Sequence, residues 1–221
     1  MMLTSVEENY LKYMFQLSEV CENSVIKTND LAYKLNHSAA TVTDMLKKLS
    51  AKKLVLYKRY YGASLSKTGS IIAIRVLRKH RLWETFLVKK LKFTWDKIHD
   101  IAEQLEHIQS DELVDRMDEY LGYPKFDPHG DPIPDKNGNI SLPNVICLTD
   151  AKLKKQYLLA NVNDDSTTFL KYLNKIQLQL NDKIKIIEKE EFDDTIQIVI
   201  NDKKQLIISR VAALNMFVKA V

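Results

Sequence analysis

At 221 residues, 45% hydrophobic and 28% charged, the chain has room for two or three small domains and the balance of a soluble globular protein. No apolar run reaches the length of a membrane span. The first ten residues lack the basic and apolar regions of a signal peptide, and Cys21 and Cys147 are too far apart for a zinc finger or a disulfide framework. A reducing cytoplasm is the expected location. The net charge of +4 is unevenly placed: residues 1–80 carry thirteen Lys/Arg against six Asp/Glu, and eleven Lys/Arg with no acid lie between Asp44 and Glu84. Such a segment expects a polyanion, nucleic acid above all.

In chain order, Leu3 to Val20 places Val6, Tyr10, Tyr13, Met14 and Leu17 at helical spacing, with Thr4 or Ser5 as N-cap and Glu7 and Glu8 in the first turn. A short helix follows in IKTNDLAYKLN, capped by Thr28. His37–Ser38 then turns the chain into a third helix capped by Ser38, with Val42, Met45, Leu46 and Leu49 inward. The lone His37 in that turn reads as structural. The outer face of the third helix offers Ser38, Ala39, Ala40, Thr41 and Thr43 first and then lysines, among them Lys47. Small and hydroxyl residues at a helix start allow close entry into a major groove, so the pair reads as a helix-turn-helix with its recognition helix second. LVLYKRYYGASLS alternates and turns at Gly62, predicting a β-hairpin wing whose Lys58, Arg59 and Tyr60 lie along phosphates.

A long helix from Lys67 to about Leu91, capped by Ser66 or Thr68, carries more apolar residues than a small domain needs, which points to packing against a second subunit. His80 and Glu84 are one turn apart on it. A second helix then presents His99, Glu103, Glu106 and His107 at i, i+4, i+7 and i+8, beside an apolar set of Ile98, Ile101, Ala102, Leu105 and Ile108. A stripe of imidazoles and carboxylates next to a core-facing set points to a metal rather than to a solvated face. Ligands without thiolate suit Mn²⁺, Fe²⁺ or Zn²⁺. SDELVDRMDEYLG continues as a helix with Leu113, Met117 and Leu121 inward, ended by Gly122. All five prolines then fall between Gly122 and Pro143, as a linker or ordered irregular loop. Beyond it, KKQYLLANVN, KIKIIEKEEF, DTIQIVIN and QLIISR read as strands around a small helix, STTFLKYLNK, forming a small, partly open barrel.

The segments RKHRLWE, KIHDIAEQLEHIQSDE and PHGDPIP make the chain resemble the diphtheria-toxin-repressor family of metal-dependent transcriptional regulators, including its manganese-sensing branch. The resemblance implies a mainly α fold with small β parts. Its domains would be a DNA-binding winged helix-turn-helix (1–66), a helical metal-binding and dimerisation domain (67–122), the Pro/Gly-rich linker (123–143) and an SH3-like barrel (144–221). It implies two metal sites per subunit, filled by Mn²⁺ or alternatively Fe²⁺. Further implications are a homodimer gripping a palindromic operator duplex, repression of metal uptake, and neither a membrane nor a small organic substrate as partner.

The resemblance places His80, Glu84 and His99 in an ancillary site, joined by His129, by Asp127 where manganese-type members have cysteine, and by Asp164, or Asp165, from the barrel. The activating site would take Glu103, Glu106 and His107. Asn9 stands where the family has Met or Asp, and Lys12 replaces a glutamate of some manganese members, which argues against a binuclear centre of their kind. Two other classes compete. A carboxylate-bridged metalloenzyme needs a Glu-x-x-His motif from each of two helices, and neither that pair nor HExxH occurs, so no catalytic residue is expected. A winged-helix module answering a small molecule or a partner would leave the ligands merely solvated.

Overall fold

The computed structural model describes residues 3–18, 24–163 and 166–221. Contacts divide the chain into two compact units, one comprising Met1–Trp83, Glu103–Arg116 and Pro134–Ile140, the other Glu84–Ala102, Met117–Ile133 and Ser141–Val221.

In the first unit, α1 (Ser5–Ser18) opens on a reciprocal cap. The Thr4 hydroxyl accepts the Glu7 N–H at 3.3 Å and Glu7 Oε2 accepts the Thr4 N–H at 3.0 Å. Tyr10, Leu11 and Met14 are buried, whereas Val6, expected inside, is exposed. α2 (Thr28–Leu35) is not capped by Thr28: the cap position is Lys27, with no side-chain bond. Asn36, in the left-handed region at φ 52°, ends α2 and leads to α3 (Ala39–Ala51). There the Ser38 hydroxyl accepts the Thr41 N–H at 3.1 Å. Val42, Leu46 and Leu49 of α3 close over Tyr10 and Leu31 in one core.

β1 (Val55–Lys58) and β2 (Gly62–Leu65) pair antiparallel, with Lys58 opposite Gly62. The hairpin therefore turns at Arg59–Tyr61, with Tyr60 at φ 68°, and not at Gly62, the first residue of β2. Gly62 is needed for another reason. Ile26 and Ala63 exchange both backbone hydrogen bonds, at 2.8 and 2.9 Å. A Cβ on Gly62, whose φ is +119°, would lie 2.5 Å from the Ile26 carbonyl oxygen.

Ser66 caps α4 (Lys67–Lys89) through the Gly69 N–H at 3.0 Å. From Val76 to Leu82 every residue of α4 is buried, including Arg78, Lys79, His80 and Arg81. Of the apolar load on α4, Leu77, Leu82 and Leu87 are buried within the chain, Ile72, Ile74 and Phe86 are half-buried, and Ile71 is exposed. A 3₁₀ turn, Trp95–Lys97, precedes α5 (His99–Leu105). α5 is shorter than the spacing suggests, and Glu106 and His107 fall in the turn after it. α6 (Asp111–Tyr120) starts where the Ser110 hydroxyl accepts the Leu113 N–H at 3.2 Å. Its buried residues are Val114 and Met117, with Leu113 exposed.

Residues 121–145 hold no helix or strand beyond a Phe126–Pro132 bridge. The second unit then adds β3 (Ile146–Cys147), β4 (Gln156–Val162), α7 (Thr167–Lys175), β5 (Lys183–Lys189), β6 (Ile196–Ile200), β7 (Lys204–Ile208), α8 (Arg210–Ala213) and β8 (Met216–Ala220). Alternation drives the pairing: Ile184 and Ile186 on β5 and Ile196, Ile198 and Ile200 on β6 all point into one core. The sheet runs β3-β8-β4-β5-β6-β7, antiparallel throughout and open at both edges, so it is not a closed barrel. No described helix is long and apolar enough to cross a membrane.

Candidate metal centre and nucleic-acid interface

The polar cluster of the first unit is built where α1 meets α4 and the turn after α5. Because α5 stops at Leu105, Glu106 can turn back toward α4, where its Oε2 lies 2.5 Å from His80 Nδ1. Lys12, four residues after Glu8 on α1, reaches the same carboxylate. Its Nζ is 2.8 Å from Glu106 Oε1, 2.9 Å from Oε2 and 2.5 Å from Glu103 Oε1. The Tyr13 hydroxyl also donates to Glu103 Oε1, at 2.7 Å. Burial of Lys12 and Glu106 is all but complete, with side chains 1% and 0% exposed. Ions so placed persist only when paired and hydrogen-bonded, as these are.

His107 is held from α1: its Nδ1 is 2.6 Å from Glu8 Oε2, which leaves Nε2 toward Glu106 Oε1 at 3.7 Å. The Gln109 amide donates to the other Glu8 oxygen at 3.0 Å. Glu8 therefore orients an imidazole, the part an outer-shell carboxylate plays for a metal-binding histidine. In the sequence Glu8 is marked only as a first-turn acid. Asn9, three residues before Lys12 on α1, keeps its Oδ1 buried with no hydrogen-bond partner among the described residues. His80, Glu103 and Glu106 each offer a ligand atom within 4.8 Å of the others, a donor set of oxygen and imidazole that fits a divalent ion, though Lys12 already brings a positive charge to those carboxylates.

The second unit holds another cluster. Glu84, one turn beyond His80 on α4, is fully buried and faces His99 from α5 and His129 from the proline-rich segment. Its Oε1 lies 3.7 Å from His99 Nδ1 and its Oε2 3.7 Å from His129 Nδ1. Glu84, Asp127 and His129 each offer a ligand atom within 4.8 Å of the others, all three residues being buried. The Trp95 carbonyl, 3.0 Å from His129 Nε2, can only accept, so that nitrogen carries a proton. In the neutral ring, Nδ1 then presents a lone pair toward Glu84. A lone pair facing a carboxylate suits an intervening cation, and the donor set fits a metal.

Asp127 Oδ1 shapes the loop by accepting the His129 and Asp131 N–H groups at 2.8 and 3.0 Å. Gly130, at φ +95°, lets that loop pass β4, since a Cβ there would sit 2.1 Å from the Ala160 carbonyl oxygen. Asp164 and Asp165 lie outside the described residues.

The residues expected to meet DNA are grouped on the surface of the first unit. Ala39, Ala40, Thr41 and Lys47 are exposed along α3, with Thr43 half-buried. Ser38 and Thr41 also join hydroxyl to hydroxyl at 2.8 Å, and Lys47 pairs with Asp44 at 3.1 Å. At the wing, Lys58 lies over the Tyr61 ring at 4.1 Å and Arg59 over the Tyr60 ring at 4.9 Å. These stacks hold two cations and two exposed aromatic rings at the hairpin tip. His37 is structural: its Nδ1 is 2.9 Å from the buried Tyr10 hydroxyl.

Glu7 ties α1 to the recognition helix, 2.6 Å from Lys52 Nζ and 3.2 Å from Lys48 Nζ. Burial alone would raise its pKa, but hydrogen bonds from Lys52, the Thr4 N–H and Lys48 outweigh it and hold the carboxyl at about 2.

Comparison with known proteins follows this architecture piece by piece. Residues 2–63 match the iron-dependent repressor N-terminal DNA-binding domain, 66–135 the iron-dependent repressor metal-binding and dimerisation domain, and 146–220 the FeoA domain. Over 132 residues, 60% of this chain, it is 30% identical to the diphtheria toxin repressor of Corynebacterium jeikeium, and equally to the iron-dependent repressor IdeR of Mycobacterium tuberculosis. Those matches cover 54% and 56% of the two relatives, so the chain spans about half the length of the curated relatives it matches.

Solved structures match further. One, a manganese-dependent transcriptional repressor in complex with manganese, has a TM-score of 0.89 at 32% identity, covering 97% of this chain and all of that one. Another, the manganese regulator SloR, has a TM-score of 0.79 at 36% identity, covering 97% and 98%. With the three domain matches in the order that the fold displays, and with full-length structural relatives above 30% identity, the chain belongs to the diphtheria-toxin-repressor family of metal-dependent transcriptional regulators.

Proposed function

We propose that this protein is a Mn²⁺-responsive transcriptional repressor of metal-uptake genes, acting as a homodimer on a palindromic operator. The observation that carries the manganese assignment is the chemistry of the donors. Glu103, Glu106, His107 and Asn9 on one side, and Glu84, His99, Asp127 and His129 on the other, offer only oxygen and imidazole. The one described cysteine, Cys147, has its Sγ 3.5 Å from the Ala213 carbonyl oxygen. Carboxylate-rich sites suit Mn²⁺, whereas a thiolate would favour later, softer ions.

A bound divalent ion supplies the positive charge that lets several carboxylates share one site. The residues do the rest. Glu8 sets the His107 ring, the Trp95 carbonyl sets the His129 tautomer, and α1 carries Asn9 on the same helix that Glu7 ties to α3. Arg59 and Lys58 meet phosphates, and Thr41 and Thr43 on α3 meet base edges. Asp164 would complete the second site from the FeoA-like domain. An iron-responsive reading stands second, because several of the curated relatives are named iron-dependent repressors.

The test is to select duplexes from a random pool with Mn²⁺ present, then measure affinity against free Mn²⁺, Fe²⁺ (anaerobically) and Zn²⁺. Mn²⁺ should activate best, Fe²⁺ partly, and Zn²⁺ should bind tightly yet activate poorly. Glu103→Cys should move the response toward Fe²⁺. Activation by Fe²⁺ at lower free metal than Mn²⁺ overturns the manganese assignment, and DNA binding indifferent to metal overturns the whole reading.

A further inference from the structure

We propose that Lys12 is a tethered competitor for the cation position between Glu103 and Glu106, and so sets the free-metal concentration at which this site fills. The inference rests on the reading that these carboxylates take a metal.

The Lys12 ammonium donates to Glu103 Oε1 and Glu106 Oε2 and also lies 2.8 Å from Glu106 Oε1, so three carboxylate oxygens stand within 2.9 Å of Nζ. Its charge stands at the hub of the cluster. Tyr13 shares Glu103 Oε1 and places its ring 4.9 Å from Nζ, while His80 and His107 flank the two Glu106 oxygens. A divalent ion held by the same oxygens would sit about 2.1 Å from each. That leaves two positive charges side by side where little water screens them. Metal entry therefore requires the ammonium to withdraw.

A competitor fixed to the chain cannot be diluted or washed away. The apparent affinity becomes the intrinsic affinity multiplied by the fraction of molecules in which Lys12 has left. Every divalent ion meets the same competitor. Lys12 thus moves the threshold without choosing the ion, and selection stays with the donors.

The test uses the full chain stripped of metal, with Mn²⁺ titrated against a fluorescent chelator. Glu106→Gln identifies the ion held at this site. Lys12→Met keeps the length and removes the charge. It should bind that ion at least about tenfold more tightly, melt at a lower temperature than wild type without metal, and gain more on adding Mn²⁺. Lys12→Arg keeps a cation and should stay within about threefold of wild type. If Lys12→Met is unfolded without metal, Mn²⁺ should restore it; failure to do so at saturating Mn²⁺ overturns the proposal. So does an affinity equal to or weaker than wild type, and in that case the site's reading as a metal site survives. If neither wild type nor Lys12→Met holds an ion that Glu106→Gln loses, it is the reading of the site that falls.

Discussion

Replacing Glu7 by Gln tests how firmly α1 is tied to the recognition helix. In the folded chain its carboxyl sits at about 2 against an ordinary 4.5, a difference equivalent to roughly 3 kcal/mol. Lys48 is half exposed and Lys52 a quarter, so solvent screening leaves about 1–2 kcal/mol to be measured. Because the folded value lies below the unfolded one, this stabilisation is complete above pH 4.5 and disappears as the pH falls from there toward 2. Urea denaturation of wild type and Glu7→Gln at pH 7, 5, 4 and 3 isolates the effect, since every other acid titrates in both proteins. Wild type should be the more stable by that amount at pH 5 and above, with the gap closing toward pH 3. A gap that stays constant down to pH 3 would refute the ion-pair account and leave only a packing difference.

Three further outcomes are expected. Arg59→Ala and Lys58→Ala should each weaken DNA binding across all sequences and reduce the slope of log affinity against log salt by about 0.9; an unchanged slope removes the wing from the phosphates. Glu84→Gln removes one of two buried carboxylates beside His129, so the metal-free chain should melt higher while the Mn²⁺-induced rise in melting temperature shrinks. The idea is sunk by a lower metal-free melting temperature with the full metal response intact. Gly130→Ala forces a Cβ against the Ala160 carbonyl from a left-handed backbone. It should cost roughly 2 kcal/mol or more by calorimetry and release one metal equivalent by displacing His129; wild-type stability would show that the loop relaxes freely.

The elements with a local signal were legible in the sequence. Ser38 and Ser66 cap the helices they precede, and the alternation of β5 and β6 follows their isoleucines. The end of α5 was not, because Glu106, His107 and Ile108 continue helical spacing with no Gly or Pro to stop it. The stop is a backbone turn, Ile108 N–H to Leu105 carbonyl at 3.2 Å, followed at once by the Ser110 cap of α6. β8 was missed because Met216–Ala220 follows a helix-like RVAAL.

The site splits in the same way. Residue types and spacings picked out the imidazoles and carboxylates. Glu8 and Trp95 escaped because their partners are distant in sequence, His107 lying 99 residues from Glu8 and His129 34 from Trp95. Periodicity carries no information about such pairs. One usable hint was present: Glu8 and Lys12 are an i, i+4 pair on a helix whose neighbours Tyr10, Leu11 and Met14 are core residues.

α1 carries opposite obligations on neighbouring residues, Glu7 to Lys48 of α3 and to Lys52 just after it, Glu8 to His107, and Lys12 to Glu103 and Glu106. A rigid rod fastened at both places cannot transmit in one direction only. Whatever factor metal contributes to DNA affinity through α1, thermodynamic reciprocity returns to the metal. A chain seated on its operator must then bind its ion more tightly than a free one by that same factor. When metal runs short, the last molecules to be stripped would be those already on DNA, so that derepression lags behind the fall in the free pool.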